Sequence, residues 1–419
     1  VSVALRRLAE VNPPVPEFDE APSDASITFM PLEACWADGR ADLSRRATKS
    51  TVASGYTRFR SGDVLLPKIT PTFEAGRVFP ANIQTGFGAA TTEVHVLRAK
   101  SHSDPRFLAY IARSLPFLQL GAASLQGVGN LRRVTTNFVQ SFPVTAFERR
   151  QQTAIADYLD RETAQIDTLI AKQEQLIAGL RERRAARILE AVTQGVESGV
   201  VLTESSLDWA RRTPSHWTEL NIRRVADMRT GHTPSKSNPE FWENTTIPWF
   251  TLADVWQLRD ARRTFLGETA SNISELGLAN SAADLLPAGT VILSRTASVG
   301  FSGIMPVPMA TSQDFWNWVC GPRIIPEYLM YTFRAMRDHL LSLMIGSTHK
   351  TIYQPIAAAL RIPLPPIDEQ HTIVAALRSE LDQIDTLIAK AERFIELSKE
   401  RRAALITAAV TGQIEVPAG

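Results

Sequence analysis

The chain has 419 residues, 44% hydrophobic and 21% charged, with a formal net charge of +1, a balance that supports two or more globular cores and argues against disorder. No run of eighteen apolar residues occurs and Val1 to Glu10 lacks an apolar signal core, so membrane insertion and secretion are disfavoured and the cytoplasm is the expected compartment. Cys35 and Cys320 stand far apart, build neither a disulfide framework nor a metal-binding pair, and are expected in cores.

The first unit opens with Leu5-Arg6-Arg7-Leu8-Ala9-Glu10-Val11 and a proline-stiffened, extended entry, Asn12-Pro13-Pro14-Val15-Pro16. Asn-Pro-Pro precedes valine here, not an aromatic, and no acidic strand with a glycine loop accompanies it, so it reads as a strand entry and not as an amino-methyltransferase motif. Ile27 to Leu32 has the β-branched and aromatic composition of a buried strand, and Ser61-Gly62-Asp63 turns into a second, Val64-Leu65-Leu66. Lys68-Ile69-Thr70-Pro71-Thr72 with Gly76-Arg77 then forms a polar, basic loop. Pro105 to Tyr110 is a short helix with proline in its first turn. Gly127 to Arg133 is another glycine-bearing loop, and Phe142-Pro143-Val144 closes the unit.

From Gln152 to about Gly195 there is no proline and good helix formers dominate. Ile155, Leu159, Ile166, Leu169, Leu176 and Leu180 recur at spacings of four and three, which predicts a coiled-coil seam. Ile170 and Ile177 widen the stripe toward a globular neighbour. Such a rod is about 65 Å long. Glu197 to Trp217 reads as a linker with Thr213-Pro214-Ser215 as its turn.

The pattern then recurs. Ile222 to Met228 matches Leu5 to Val11, Ile247 to Leu252 matches the first strand, and Ala288 to Leu293 matches the second. Arg295 to Gly300 is the basic loop, Pro326 to Tyr331 the short helix, Gly346-Ser347-Thr348-His349-Lys350 the second loop, and Ile362-Pro363-Leu364 the close. A second helix from Gln370 to about Gly412 carries Leu377, Ile384, Leu387, Phe394 and Leu405 as its seam, with Leu381, Ile388 and Ile395 beside it. The heptapeptide IDTLIAK occurs as Ile166 to Lys172 and as Ile384 to Lys390, and the ERRAA stretches at Glu182 and Glu400 keep the same offset without a gap. The chain is a tandem duplication. The expected fold class is α+β: related globular domains at 1–141 and 199–361, and long shared helices at 142–198 and 362–419. Approximate two-fold symmetry makes those helices an antiparallel coiled coil.

No catalytic constellation is present. G-x-x-x-x-G-K-[ST], H-E-x-x-H and G-x-S-x-G are all absent, which removes the usual P-loop, zinc-hydrolase and serine-hydrolase signals. Lys and Arg exceed Asp and Glu by 16 to 12 in 1–141 and 15 to 14 in 199–361, but are outnumbered 14 to 18 in the helical segments, which favours the globular parts as phosphate contacts. Paired domains held apart by rods suit two sites on one face of a duplex, about 34 Å apart or a multiple of it. A protein-interaction scaffold that binds no DNA is the alternative. Steep salt dependence of DNA affinity separates the two.

The order of variable domain, helix, variable domain, helix, with Pro363-Leu364-Pro365-Pro366-Ile367-Asp368-Glu369-Gln370 leading into Ile384-Asp385-Thr386-Leu387-Ile388, resembles the specificity subunit of type I restriction-modification systems. Thr230-Gly231-His232-Thr233-Pro234-Ser235 and Gly346 to Lys350 also resemble that family's segments. In the first half Val144 to Arg150 replaces the Pro-Pro-Ile-Asp-Glu-Gln pattern, and the T-G-x-T-P-S segment is missing. The resemblance implies a non-catalytic subunit that reads a bipartite, asymmetric target in double-stranded DNA, one domain per half-site. It also implies two adenine methyltransferase subunits as partners and a motor-nuclease subunit for restriction, with S-adenosylmethionine, ATP and Mg²⁺ belonging to those partners.

Candidate DNA contacts are loop residues able to donate or accept at groove edges. They are Lys68, Thr70, Thr72, Arg77, Thr91, Thr92, Asn130, Arg132 and Arg133 in the first domain. In the second they are Thr233, Ser235, Lys236, Arg295, Thr296, Ser298, Ser312, Gln313, His349 and Lys350. Arg183, Arg184, Arg401 and Arg402, in the repeated ERRAA, are candidates for partner docking.

Overall fold

A computed structural model describes residues 1–129, 131–346 and 350–416. Two helices dominate, Arg149–Gln194 and Ile367–Thr411. Both stop at a glycine in the left-handed region, Gly195 and Gly412. Their amides return to Ala191 O and Ala409 O, the C-terminal cap that glycine makes cheap. The chain divides into two compact units, Val1–Glu174 with Glu392–Gly419, and Gln175–Ala391.

The first unit holds a four-stranded sheet in the order Ala9–Val11, Val94–Ala99, Val64–Pro67, Phe79–Pro80, antiparallel throughout. A second sheet contains Ser26–Met30 parallel to Phe87–Ala90. Between the first sheet and the long helices lies a core of Leu5, Val64, Leu66, Leu97, Phe107, Leu108, Phe117 and Phe142, to which Ile155 and Leu159 of one helix and Ile406 and Val410 of the other contribute. The helical segments therefore belong to the domain's own core. They run antiparallel, with Ile155 and Leu159 beside Ile406 to Val410 and Asp167 beside Arg402.

The second unit repeats the plan. Its antiparallel sheet runs Ala226–Thr230, Phe315–Cys320, Val291–Ser294, Ser302–Ile304. Ile247–Phe250 lies parallel to Ala310–Thr311. Arg187 pairs with Glu380 and Arg184 with Asp385, so these helical segments are antiparallel too.

Two devices that recur in both units fasten domain to helix. Gln152, fully buried, accepts from Asp104 N at 3.0 Å and donates to His102 O and Phe147 O. Gln370, its counterpart in the second copy, accepts from Ile325 N at 3.0 Å and donates to Arg323 O and Pro365 O. Each thereby caps the start of the short domain helix, Pro105–Arg113 or Pro326–Ala335. The second device is the last arginine of ERRAA. Arg184 reaches Asp385 at 3.2 Å and Ala261 O at 2.6 Å. Arg402, its counterpart, has Nε 3.0 Å from Asp167 and donates from Nη2 to Asp38 O at 2.8 Å. Both loops so held place a residue in the left-handed region, Gly39 or Ala261. At Gly39 a side chain would collide with Arg113 at 2.0 Å, so glycine is required there.

Three expectations change. Leu169, Leu176, Leu387 and Phe394, predicted in the seam, are exposed, while Ile170, Ile177, Ile388 and Ile395 are buried in their place. Glu197 to Trp217 is not a plain linker: Leu202–Leu207 and Ala210–Pro214 form a hairpin. Cys35 is buried but Cys320 is only partly so, and burial pushes their thiols up to about 11 and 12. The Asn-Pro-Pro segment is structural: Asn12 takes a positive φ, accepts from Val96 N and bonds to His95.

Candidate nucleic-acid interface

In the second unit the strand Val291–Ser294 delivers Arg295 to one end of the sheet. Arg295 N donates to Asp314 O at 3.0 Å and Arg295 O accepts from Ile352 N at 3.0 Å, which brings the 312–314 loop and the Lys350 to Ile352 segment to either side. Thr296 and Thr351 hydroxyls meet at 3.1 Å. Thr233 donates to Gln313 at 2.7 Å and so joins a fourth loop. That loop begins at Gly231, where a Cβ would lie 2.1 Å from Thr311 O; only glycine admits the approach.

Arg295 sits over Trp316, its guanidinium carbon 4.3 Å from the ring centroid. Trp316 is 3% exposed and donates its indole N–H to Ile352 O at 3.0 Å, which fixes the plane beneath the arginine. Arg295 Nε is buried without a hydrogen-bond partner among the described residues. Burial holds its pKa below the usual range, opposed by the nearby Asp314 charge. A cation kept partly dry is placed to gain from an incoming acceptor. Exposed Tyr353 stands close enough to act on its charge.

The first unit builds the same frame from different residues. Lys68 N donates to Glu93 O and Lys68 O accepts from Val134 N, each at 2.9 Å. His95 takes Trp316's place: its Nε2 donates to Val134 O at 3.0 Å, its Nδ1 is left to accept from Asn12, and burial lowers its pKa so that it stays neutral. Gln126 bridges Arg133 as Ile345 bridges Thr351, and Gly127 and Gly346 share φ values of 129° and 125°. Arg133 is held by Glu93 through two bonds of 2.8 Å, which lowers the Glu93 pKa and raises that of Arg133.

The structure thus gathers Lys68, Thr70, Arg132 and Arg133 at one sheet end, with Thr91 and Thr92 on the turn before Glu93. Thr233, Arg295, Thr296, Ser312 and Gln313 gather at the other unit's equivalent, with exposed Lys350 next to Thr351. Ser235 and Lys236 are exposed just beyond Thr233, and Ser298 is half-buried in the Arg295 loop. Thr72 and Ser312 are buried and spend their hydroxyls on Ile69 O and Asp314. Thr70 is buried as well. Arg77 donates to Cys35 O instead of facing the loops. Asn130 and His349 lie outside the described residues. Of the docking candidates, Arg183 and Arg401 are exposed, whereas Arg184 and Arg402 are spent inside their own units on Asp385 and Asp167. Sequence reasoning missed Trp316, Tyr353, His95 and the two glutamines. Only the glutamines carried a signal, since they occupy matching places in the two copies of the repeat.

Among the described residues no group of three or more His, Cys, Asp and Glu could hold a metal ion, and no helix is long and apolar enough to cross a membrane. The sequence profile of the type I restriction modification DNA specificity domain matches residues 214–396. The MjaIX specificity subunit of Methanocaldococcus jannaschii is 28% identical over 166 residues, 39% of this chain and 38% of that one. The EcoAI specificity subunit of Escherichia coli is 28% identical over 210 residues, 49% and 34% of the two chains. Residues 214–396 therefore resemble a type I restriction modification DNA specificity domain. The matches span just over a third of these curated relatives' length. Two solved structures share the fold over 99% of this chain, each at 18% identity. One, covered to 98%, comes from work on complex assembly and conformational transition of the type I R-M system and has a TM-score of 0.76. The other, the HsdS subunit of Thermoanaerobacter tengcongensis, is covered to 97% with a TM-score of 0.56. The α+β architecture with two long helices matches theirs.

Proposed function

We propose that this chain reads a bipartite, asymmetric DNA target, one unit per half-site, for a type I restriction-modification complex. The observation that carries the reading is the repeated frame at the sheet end, one backbone arrangement bearing Lys68 near His95 in one unit and Arg295 over Trp316 in the other. Identical frames with different side chains suit two related but unequal half-sites. Domains at 1–141 and 199–361 would read, and the helices at 142–198 and 362–419 would space them and dock two adenine methyltransferase subunits, with a motor-nuclease subunit joining for restriction. Adenine-methylation sequencing of a cell carrying this gene, compared with its deletion, should lose one split motif. Persistence of every methylated motif in the deletion sinks the reading.

Docking rests on what both copies leave exposed: Arg183 and Arg401, with Leu169, Leu176, Leu387 and Phe394 as apolar company. Alanine at Arg183 and Arg401 together should lower the methyltransferase stoichiometry seen by native mass spectrometry while the methylated motif stays the same. An unchanged stoichiometry rejects this surface. The scaffold alternative draws on exposed Val128, Leu131 and Ile345 in the loops; duplex affinity that does not fall with salt would favour it.

A further inference from the structure

We infer that Arg295 reads a guanine in the half-site of the second unit, whereas Lys68 at the matching place in the first unit contacts phosphate. This rests on the specificity-subunit reading above. Each residue follows the matching strand of its own unit and makes the equivalent two backbone bonds, so the two sheets present them alike. Their chemistry differs. Arginine offers a planar fork that matches guanine O6 and N7, and lysine a point charge on a flexible stem. In the second unit the fork is already oriented: Trp316 lies beneath it at 4.3 Å and is itself pinned to Ile352 O. Nε is buried and unbonded, which leaves the two Nη groups as the donors for a ligand. No carboxylate among the described residues bonds to them, although the Asp314 charge acts on the group from nearby, in contrast to Arg133, which Glu93 holds directly.

A phosphate would not need this orientation. Exposed Lys236 and Lys350 supply mobile charge nearby, as phosphate contacts require. Arg295 is instead half-buried among four loops, over an almost fully buried indole. The rim would position the duplex and the recessed fork would read a base edge. Lys68 has no such support, because buried, neutral His95 occupies the place of Trp316.

The test compares adenine methylomes of cells carrying the wild-type chain, Arg295→Lys, Arg295→Ala or Lys68→Ala. In both Arg295 variants one guanine position of one half-site should become degenerate, with discrimination falling roughly 5- to 150-fold, the worth of one bidentate pair. The other half-site should stay as it was. Lys68→Ala should lower methylation of all sites without changing either half-site. A full motif in Arg295→Lys overturns the inference, since charge alone would then suffice. So does a wild-type motif whose half-sites lack guanine at the position affected. If the Arg295 variants abolish methylation, binding by the purified complex to the wild-type target and to single-guanine substitutions decides. A lost preference supports base reading and a retained one overturns it. A wild-type cell with no split motif dependent on this chain fails the specificity-subunit reading itself, and the inference with it.

Discussion

Gln370→Ala should destabilise the second unit by about 3 kcal/mol, the sum of three unmet backbone bonds at the low end of their cost, with the amide of Ile325 losing protection from hydrogen exchange before the sheet does. Gln370 is fully buried and serves three backbone groups, Ile325 N, Arg323 O and Pro365 O. Truncation leaves all three without that partner in a fully buried site. Each buried, unsatisfied group costs about 1 to 3 kcal/mol. The lower value per group is apt because the alanine leaves room into which a water can settle. Ile325 is the N-cap of the helix Pro326–Ala335, so its freed amide marks the fraying of that helix from the long helix that follows. Gln370→Glu should be worse than alanine, since a carboxylate brings a charge into the same site and cannot donate to the two carbonyls. Unaltered exchange at Ile325 in the alanine variant would show that the glutamine is a passenger.

The duplication and most elements were legible because they rest on local signals. Ser26–Met30 and Ile247–Phe250 were readable from β-branched and aromatic runs, and Val64–Pro67 and Val291–Ser294 from the glycine turns before them. The helical seam was not. At 169 and 170, 176 and 177, 387 and 388, and 394 and 395, two apolar residues stand side by side, so the stripe can be centred on either. A four-three spacing fits both choices. Packing selects the isoleucines, and the leucines and Phe394 turn outward. The hairpin Leu202–Pro214 escaped because Thr203, Glu204, Ser206, Arg211 and Arg212 are all exposed, leaving no apolar alternation to read.

At the candidate interface, loop chemistry pointed to residues that the fold brings together but could not rank them. Thr72 and Ser312 look like donors in sequence, yet their hydroxyls are consumed by turns of their own loops. Arg133 and Arg295 look alike in sequence, yet one is bound to Glu93 and the other lies on Trp316. Those differences depend on which strands become neighbours. Glu93 and Arg133 are 40 residues apart, and Trp316 reaches Ile352 across 36.

Arg184→Ala should remove about 2 kcal/mol from the second unit, somewhat less than the loss of a fully buried ion pair, and most of that should be shared with Asp385. The side chains are 7% and 21% exposed and meet at 3.2 Å. Breaking a fully buried pair costs about 3 to 5 kcal/mol, largely through the charge left behind. Two features reduce the figure here. Arg262 stands 3.7 Å from Asp385 and partly compensates it, and Arg334 also donates to Ala261 O, so that carbonyl keeps a partner. Arg184 and Arg334 repel one another as well, and burial with that repulsion lowers the Arg334 pKa to about 10. Urea unfolding of Arg184→Ala, Asp385→Ala and the double variant should therefore give a coupling energy of about 1 to 2 kcal/mol, inside the range of roughly 0.5 to 3 kcal/mol for contacting residues. Arg184→Lys should recover only part of the loss, because one ammonium cannot reach Asp385 and Ala261 O with the geometry of the guanidinium fork. Additive single losses would mean that the repeated arginine acts through packing alone, and the same cycle at Arg402 and Asp167 in the first unit should then be additive too.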